Sequence, residues 1–261
     1  MTRAWNYIVP VLVGIAVLAF WQWAVGHWQM PVYLLPAPSN IWRAFIDGRA
    51  ELMSATWVTL RIVLIAFVLA LVSGIALAIL FSQSRMVERA LYPYAVILQV
   101  TPIISIAPLI VIWVGYDNVD LALLIMAWIV AFFPILANTT IGLRSADENL
   151  VDLFRLYGAS RWQILLRLRL PTALPYLLGA MKVSGGLSLI GVIVAEFAAG
   201  SGNDTGLGWI LTEASRNLHI GTMFAALAIL SVLGVTIFFL LSALEWALLH
   251  RWHESAVSRE K

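Results

Sequence analysis

A polar stretch, Ser145–Pro171, interrupts a chain whose other long segments are mostly apolar. Ser145 and Glu148 have the spacing of a capping box, which predicts that a helix begins here. Apolar side chains then recur at the i, i+3, i+4 and i+7 positions of one helix face: Leu150, Leu153, Phe154 and Tyr157. This spacing predicts a short amphipathic helix.

A second short helix is predicted directly after the first. Gly158 ends the first helix, and Ser160 with Gln163 has the form of another capping box. We expect the second helix to end at Pro171, because proline cannot continue an ordinary helical ladder. A compact two-helix unit with Leu, Phe and Tyr along one edge is suited to docking into a groove on another protein. The alternative is an interfacial helix that lies on lipid headgroups.

The composition of the 261-residue chain is that of a membrane protein. Hydrophobic residues make up 62% of it and charged residues 11%, and the mean hydropathy is +0.91. We therefore predict an all-α polytopic membrane protein. The pI of about 9.1 comes from a few basic residues in short loops, which does not indicate nucleic-acid binding. The chain has no cysteine, which excludes disulfide and thiolate chemistry.

The apolar runs predict six transmembrane helices in a single domain of residues 1–261. The spans cover about residues 8–25, 57–81, 91–115, 120–143, 173–199 and 221–249. The loop of residues 145–171 joins the fourth span to the fifth. No small-residue cleavage site follows the first span, so we expect it to be a membrane helix rather than a cleaved signal.

Polar residues in the third and fourth spans indicate a hydrated or protein-covered surface. Pro93, Pro102 and Pro108 each remove a backbone donor from the third span. Such breaks persist in a bilayer only where protein or water satisfies the freed carbonyls. We therefore expect a set of residues to face other helices or a wet path: Gln99, Thr101, Pro102, Ser105 and Asn138.

The fifth span combines small residues with two charges. Ser184, Gly186 and Ser188 either let another helix approach closely or line a narrow path, and the sequence leaves both alternatives open. Lys182 and Glu196 lie about 21 Å apart along the helix, too far to pair. We expect Lys182 to extend to the headgroups. We expect Glu196 to be paired, because an ionisable group inside a span tends to face an interior or a cavity.

The basic residues predict the orientation of the six spans. With the amino terminus in the cytoplasm, eleven basic residues fall inside: Arg3, Arg85, Arg89, Arg144, Arg155, Arg161, Arg167, Arg169, Arg251, Arg259 and Lys261. Only Arg43, Arg49 and Arg216 fall outside. The positive-inside rule therefore places both termini and the loop of residues 145–171 in the cytoplasm.

Motifs for catalysis are missing from the sequence. There is no G-x-x-x-x-G-K-[ST] loop to hold a nucleotide phosphate, so we predict no ATPase activity and no enzyme site in this chain. Any ATP hydrolysis coupled to this chain would then have to take place in a partner subunit. His250 and His253 have an i, i+3 spacing that could hold a metal, but no carboxylate accompanies them, and we predict no metal site.

The polar stretch also resembles a family motif. Three segments have the spacing of the EAA loop of permease subunits of ABC importers: Asp152-Leu153-Phe154, Gly158-Ala159 and Leu168-Arg169-Leu170-Pro171. Asp152 stands for the glutamate of that motif, and Leu153 and Phe154 stand for its two alanines. Further segments resemble the nitrate/sulfonate/taurine branch: Leu35–Trp42, Pro102–Leu109, Trp113–Tyr116 and Gly206–Gly208.

The resemblance implies the fold of a type I ABC importer permease in a bacterial cytoplasmic (inner) membrane. It implies that a coupling helix sits in a cleft of the ATPase subunit, with these residues at the contact: Asp147, Glu148, Asp152, Leu153, Phe154, Tyr157, Gly158, Ala159, Ser160 and Pro171. The implied partners are two ATPase subunits that bind ATP and Mg, a second permease copy and an external solute-binding protein. The substrate stays open among nitrate, taurine, sulfonates, bicarbonate, pyrimidines and flavins. In such a permease we expect Glu196 to stabilise an outer gate, in preference to contacting the substrate.

A second class of function is an ion- or proton-coupled carrier with Glu196 as its proton site. Six spans without an internal repeat are few for such a carrier, which usually has paired halves around a midplane site. An intramembrane enzyme is a third class, but no set of converging polar residues supports it.

Overall fold

The computed structural model describes residues 2–200 and 205–250, and that part of the chain contains helices and no strands. Its α-helices are α1 (Thr2–His27), α2 (Pro38–Asp47), α3 (Arg49–Gln83), α4 (Arg85–Val100), α5 (Ile103–Val114), α6 (Val119–Arg144), α7 (Glu148–Leu156), α8 (Arg161–Ile164), α9 (Leu170–Ala199), α10 (Leu207–Arg216) and α11 (Ile220–Leu249). The predicted tail beyond His250, with His253, and residues 201–204 lie outside the described residues.

The prediction of about six spans is confirmed. Within residues 2–200 and 205–250, five helical segments are long and apolar enough to cross a membrane: 8–27, 49–83, 116–144, 161–199 and 220–249. The helix pair α4 and α5 supplies a sixth when it is counted as one broken span. The second span is longer than predicted, because α3 has 35 residues and begins at Arg49. At 1.5 Å per residue, a helix of that length exceeds the hydrocarbon thickness of a bilayer.

The third span is broken, as its prolines predicted, and the break lies at one of the three. The axes of α4 and α5 differ by 104° across Thr101 and Pro102. Thr101 has an extended backbone, with ψ of 124°, as expected for a residue that precedes proline. Its hydroxyl donates to the Ile97 carbonyl at 2.6 Å and so satisfies an acceptor at the end of α4. Pro93 and Pro108 lie inside α4 and α5 without ending either helix.

The core of the bundle is formed by α6 and α9, which pack against each other in antiparallel directions. A Cβ added to Gly142 would lie 2.9 Å from the Ala173 Cα, and one added to Gly191 would lie 2.8 Å from the Ala127 Cα. On α3, a Cβ at Gly74 would lie 2.8 Å from Cγ2 of an α6 isoleucine, Ile135. Glycine is therefore required at these crossings, because any larger residue would push the helices apart.

Pro171 does not end a helix, contrary to the sequence expectation. The chain is helical from Arg161 to Ala199, with a π-helical turn between α8 and α9 over Leu165–Arg169. In this turn the Leu170 N–H donates to the Leu165 carbonyl, five residues earlier. A proline lacks the N–H of an ordinary ladder and crowds the carbonyl four residues before it. The wider turn accommodates Pro171 because the ladder is already offset there.

The prediction that Lys182 extends to the headgroups is wrong. Its Nζ lies 2.5 Å from Oε2 of Glu245 on α11, and the two side chains are only 19% and 25% exposed. A buried charge in a membrane helix is stabilised by such a partner. The ion pair therefore joins α9 to α11.

Candidate functional site

The α7 helix begins at a cap different from the predicted one. Asp147 Oδ1 accepts a hydrogen bond from the Asn149 N–H at 2.9 Å, so Asp147 is the N-cap and Glu148 is the first helical residue. The Ser145 hydroxyl instead donates to the Gly142 carbonyl at 2.9 Å, at the end of α6. The predicted capping box of Ser145 and Glu148 is therefore wrong, because Ser145 still belongs to the end of the preceding helix.

A glycine corner joins α7 to α8. Gly158 has φ of 73°, a left-handed conformation that glycine adopts without steric cost. Its N–H donates to the Arg155 carbonyl at 2.9 Å, and the Ala159 N–H donates to the Phe154 carbonyl at 3.0 Å. These two bonds form a Schellman motif, which satisfies carbonyls at the end of α7. The predicted stop at Gly158 is confirmed.

The predicted capping box at the start of α8 is also confirmed. The Gln163 N–H donates to the Ser160 hydroxyl at 3.3 Å, and the Ser160 N–H donates to Gln163 Oε1 at 2.7 Å. Reciprocal bonds of this kind fix the first turn of a helix. Together with the glycine corner, they fix the angle between α7 and α8.

A small apolar core holds the two helices together in a unit that we call the α7–α8 knob (residues 147–164). Its buried members are Ala146, Val151 and Ile164, with Phe154, Ala159 and Leu168 packed against them. Other large side chains of the knob project outward: Leu153 of α7 is 44% exposed, and Tyr157, the C-cap of α7, is 85% exposed. Asp152 and Arg155 form an ion pair at 2.9 Å on the exposed surface of α7.

The outward face of the knob contains a shallow groove. Its volume is about 420 Å³, and its lining residues are Leu153, Phe154, Tyr157, Gly158, Ala159, Gln163 and Arg167. Five of the ten predicted coupling residues line this groove, namely Leu153, Phe154, Tyr157, Gly158 and Ala159, and Asp147, Glu148, Asp152 and Ser160 lie beside them on the same unit. Pro171 lies apart from them, on α9 beyond the π turn.

A second arrangement of polar groups surrounds Glu196 near the end of α9. The residue is only 1% exposed, and its Oε2 accepts a hydrogen bond from the Trp209 N–H at 3.0 Å. Trp209 is in the first turn of α10, where a helix presents free N–H groups and a partial positive charge. The free N–H groups and the partial positive charge both stabilise a carboxylate at this position.

Two glycines make room for the Glu196 carboxylate. A Cβ added to Gly206 would lie 2.0 Å from its Oε1, and one added to Gly208 would lie 2.6 Å from its Oε2. The Leu207 N–H between them donates to the Thr59 hydroxyl of α3 at 2.9 Å. The start of α10 is therefore attached to both α9 and α3. We call Glu196, Thr59 and the first turn of α10 the outer clamp.

The pairing predicted for Glu196 is present, but the sequence did not identify the partner, which is a helix N-terminus rather than a side chain. Thr59 was not predicted as a site residue, because it is separated from Leu207 by 148 residues and has no charge. The sequence signal that could have located this contact is Gly206-Leu207-Gly208, because two glycines that flank one residue allow another group to approach the backbone closely.

The small residues of α9 do not share one surface. Ser184 and Ser188 are fully buried in the chain, and the Ser188 hydroxyl donates to the Gly185 carbonyl at 2.9 Å. Gly185 and Gly191 pack closely against α11 and α6. Gly186 differs, since a Cβ added there would meet no atom within 4 Å.

The polar residues of the bent span lie on its outer surface. Gln99, Pro102 and Ser105 are exposed, and Thr101 is partly buried. Asn138 on α6 is also partly buried and donates to the Pro134 carbonyl of its own helix at 2.9 Å. Among the described residues, no hydrogen bond joins any of these side chains to Glu196.

Comparison with known proteins identifies the class. The family pattern of the binding-protein-dependent transport system inner membrane component matches residues 67–248. The chain is 33% identical to the formylaminopyrimidine transport permease protein ThiX of Halalkalibacterium halodurans, over 95% of this chain and 98% of the relative. It is 34% identical to the riboflavin transport system permease protein RibX of Chloroflexus aurantiacus, over 91% of this chain and 87% of the relative. The chain belongs to this family of inner-membrane permease components.

Two further comparisons agree with this. The chain is 28% identical to a putative aliphatic sulfonates transport permease protein, SsuC of Bacillus subtilis, over 89% of this chain and 83% of the relative. Its fold matches a chain of the inward-facing MetNI methionine ABC transporter with a TM-score of 0.65 at 19% identity, covering 78% of this chain and 98% of that one. The chain therefore has the type I ABC importer permease fold, in the branch that includes the sulfonate permeases.

The family settles the class of function. The chain is a multi-pass permease subunit of an ATP-driven ABC importer of the inner membrane, which works with an ATPase subunit and a solute-binding protein. ATP hydrolysis belongs to the partner subunit, as the missing phosphate-binding loop predicted. The alternative of a secondary carrier is not needed to account for the fold.

Proposed function

We propose that the α7–α8 knob is the coupling element and that its outward face, which carries the groove, docks into a cleft of the ATPase subunit. The observation that carries this proposal is the exposure of large apolar side chains, Leu153 and Tyr157, on a helix whose angle to α8 is fixed by two caps. A rigid knob transmits a displacement, whereas a flexible loop would absorb it. The bound ATPase subunits would hold ATP and Mg.

Co-purification with the ATPase subunit tests this proposal. The double substitution Leu153→Asp/Tyr157→Asp places two charges in the groove, and we expect it to weaken capture of the ATPase subunit at least about tenfold. Met86→Asp is the matched control, because Met86 is 83% exposed at the start of α4 and does not line the groove. Equal capture by all three proteins would refute the docking site.

We propose further that the knob lies in the cytoplasm together with both termini. The support is the distribution of basic residues, which are concentrated at the knob end of the bundle and in the tail of the chain. ATP is available on that side. The opposite end, which carries the outer clamp and α10, then faces the solute-binding protein.

We propose that two copies pair and that the substrate path runs between them, with residues 1–261 acting as one permease domain. Two observations support pairing. Gln99 and Ser105 are exposed in a segment that otherwise is apolar, and exposed polar groups in a bilayer need a protein or water partner. Gly186 opens onto free space on α9, the helix against which α5 packs. On this proposal Gln99, Ser105 and Gly186 line the path.

For Glu196 we propose a gate-stabilising role. The outer clamp fixes the first turn of α10 to α9 and α3 through the bonds of Glu196 and Thr59. Because both oxygens of the carboxylate lie against α10 backbone, direct contact with a substrate is disfavoured. Opening of the outer end would require α10 to move with α9 or to leave the carboxylate.

We propose a neutral nitrogen heterocycle, of the pyrimidine or flavin type, as the substrate. The relatives named for formylaminopyrimidine and riboflavin transport are 33% and 34% identical to the chain, against 28% for the aliphatic sulfonate permease. Uptake of radiolabelled formylaminopyrimidine, riboflavin and an aliphatic sulfonate by cells that express the complete importer tests the proposal. Saturable uptake of the sulfonate alone would refute it.

A further inference from the structure

A second cavity at the knob end of the bundle is bounded by arginines. Its volume is about 500 Å³, and it lies between α7, α8 and the turn that joins α3 to α4. Its charged lining residues are Arg85, Arg155, Arg161 and Arg169, and no carboxylate of the described chain lines it. We call this the arginine cavity.

The positive charge of the arginine cavity is only partly compensated. Arg155 pairs with Asp152 at 2.9 Å, and Arg169 Nη1 donates to the Ser82 carbonyl at 3.4 Å. Arg85 and Arg161 form no ion pair with any residue in the ranges that the structure describes. The neighbouring carboxylates, Glu88, Glu148 and Asp152, line an adjoining cavity of about 810 Å³ that shares Arg85, Arg155 and Arg169 with the arginine cavity, whereas Arg161 lines the arginine cavity and not the adjoining one. An anion in the arginine cavity would therefore relieve repulsion among the guanidinium groups.

The geometry points to a phosphate group as the ligand. Guanidinium groups present forked donors that match phosphate oxygens, and several arginines around one cavity can each donate two bonds. Trp162 and Leu166, which flank this cavity along the chain, are 62% and 60% exposed. Exposed aromatic and aliphatic side chains beside basic ones are typical of the headgroup region.

We propose that the arginine cavity binds the phosphate of an anionic phospholipid, with free phosphate as the other source of the same chemistry. The orientation proposed above places the cavity at the cytoplasmic leaflet, where anionic lipids supply negative charge. The assignment to the cytoplasmic leaflet rests on the orientation given under Proposed function. Binding of a purified lipid in detergent does not depend on it.

The arginine cavity and the outward groove lie on different faces of α7. Val151 and Arg155 line the cavity, while Leu153 and Tyr157 line the groove, about half a turn away. A bound phosphate would therefore bridge α7 to α3, α4 and α8 without occupying the groove. Lipid binding and ATPase docking are separable for this reason.

Native mass spectrometry of the full-length chain with its ATPase subunit tests the proposal. The protein is titrated with phosphatidylglycerol or phosphatidylcholine, and inorganic phosphate is added as a competitor. The test variant is Arg85→Gln/Arg161→Gln, which removes two exposed charges from the cavity. Arg167→Gln is the control for lipid binding, because Arg167 is on the same segment but does not line the cavity.

We expect the wild type and Arg167→Gln to bind phosphatidylglycerol in preference to phosphatidylcholine. The double variant should bind phosphatidylglycerol at least about tenfold more weakly, since charge-assisted hydrogen bonds are lost. Displacement by inorganic phosphate would show a site open to free phosphate, and resistance to it would show a lipid site. Both results support phosphate recognition.

Three results would overturn the proposal. They are equal binding of the two lipids by the wild type, unchanged phosphatidylglycerol binding by the double variant, and loss of ATPase capture in that variant together with lipid binding. The last would mean that the arginines belong to the docking face. If Leu153→Asp/Tyr157→Asp captures the ATPase normally while the lipid results are as expected, the docking proposal fails and the lipid site stands.

Discussion

The Glu196 carboxylate accepts a hydrogen bond from the Trp209 N–H at 3.0 Å, which ties the end of α9 to the first turn of α10. The carboxylate is almost completely buried, and Gly206 and Gly208 leave the space that it fills. A charge buried in this way needs hydrogen-bond donors, and here a helix N-terminus supplies one to Oε2, while Oε1 is buried without a hydrogen-bond partner among the described residues. The relationship leads to two predictions on the outer clamp.

The first prediction compares two substitutions of Glu196. Glu196→Gln keeps an oxygen that can accept the Trp209 N–H, so we expect most of the transport activity to remain. Glu196→Ala leaves this buried donor without a partner at a cost of about 1–3 kcal/mol. It should loosen the outer clamp and raise ATP hydrolysis in the absence of the solute-binding protein. Loss of uptake in Glu196→Gln, with a residual rate independent of external pH, would contradict the gate role and favour proton coupling.

The second prediction concerns the space beside Glu196. In Gly208→Ala the new methyl group would lie 2.6 Å from Glu196 Oε2, so we expect destabilisation of about 1–3 kcal/mol. The double variant Gly208→Ala/Glu196→Ala removes the nearest opposing atom, Oε2, and should cost less than the sum of the two single changes. Thermal unfolding in detergent measures this coupling. Additive effects would show that the two residues do not touch.

A third prediction concerns the ion pair between α9 and α11. Lys182→Met leaves Glu245 without its partner at 25% exposure, and we expect a loss of about 1–3 kcal/mol. The exchange Lys182→Glu/Glu245→Lys restores opposite charges and should recover part of that loss. Unfolding of the three proteins in the same detergent gives the comparison. If the exchanged protein is no more stable than Lys182→Met, the pair does not stabilise the bundle.

A fourth prediction uses the absence of cysteine from the chain, which allows single-cysteine variants without further changes. Gly186→Cys should form a disulfide-linked dimer under mild oxidation if two copies pair across this position. Gly179→Cys is a control on the same helix, since a Cβ at Gly179 also meets no atom within 4 Å but lies about two turns away. Gly186→Trp should block uptake and leave ATPase capture intact. Equal cross-linking at both positions would argue against pairing through Gly186.

Local features of this fold could be predicted from the sequence because their causes lie within a few residues. The corner at Gly158 and the capping box of Ser160 with Gln163 are both determined by neighbours along the chain. The approximate positions of the membrane spans could be predicted from the apolar runs alone. The predicted cap at Ser145 failed because two competing acceptors, Ser145 and Asp147, lie two residues apart, and the extended backbone of Asp147 decided between them.

Other features depend on contacts between distant segments. Three prolines in the third span have the same local effect, yet only Pro102 coincides with a bend. Lys182 is separated from Glu245 by 63 residues, and Thr59 from Leu207 by 148. The arginine cavity likewise forms only when the turn between α3 and α4 packs beside α7. Local sequence patterns contain no information on such pairs.

The most direct test of the account is ATP-driven uptake by proteoliposomes that contain the permease, its ATPase subunit and the solute-binding protein. The account predicts that the wild type and Met86→Asp couple ATP hydrolysis to uptake. The variant Leu153→Asp/Tyr157→Asp should keep its fold in detergent but lose both uptake and stimulation of ATP hydrolysis by the solute-binding protein. Uptake by this variant at the wild-type rate would contradict the assignment of the α7–α8 knob as the coupling element.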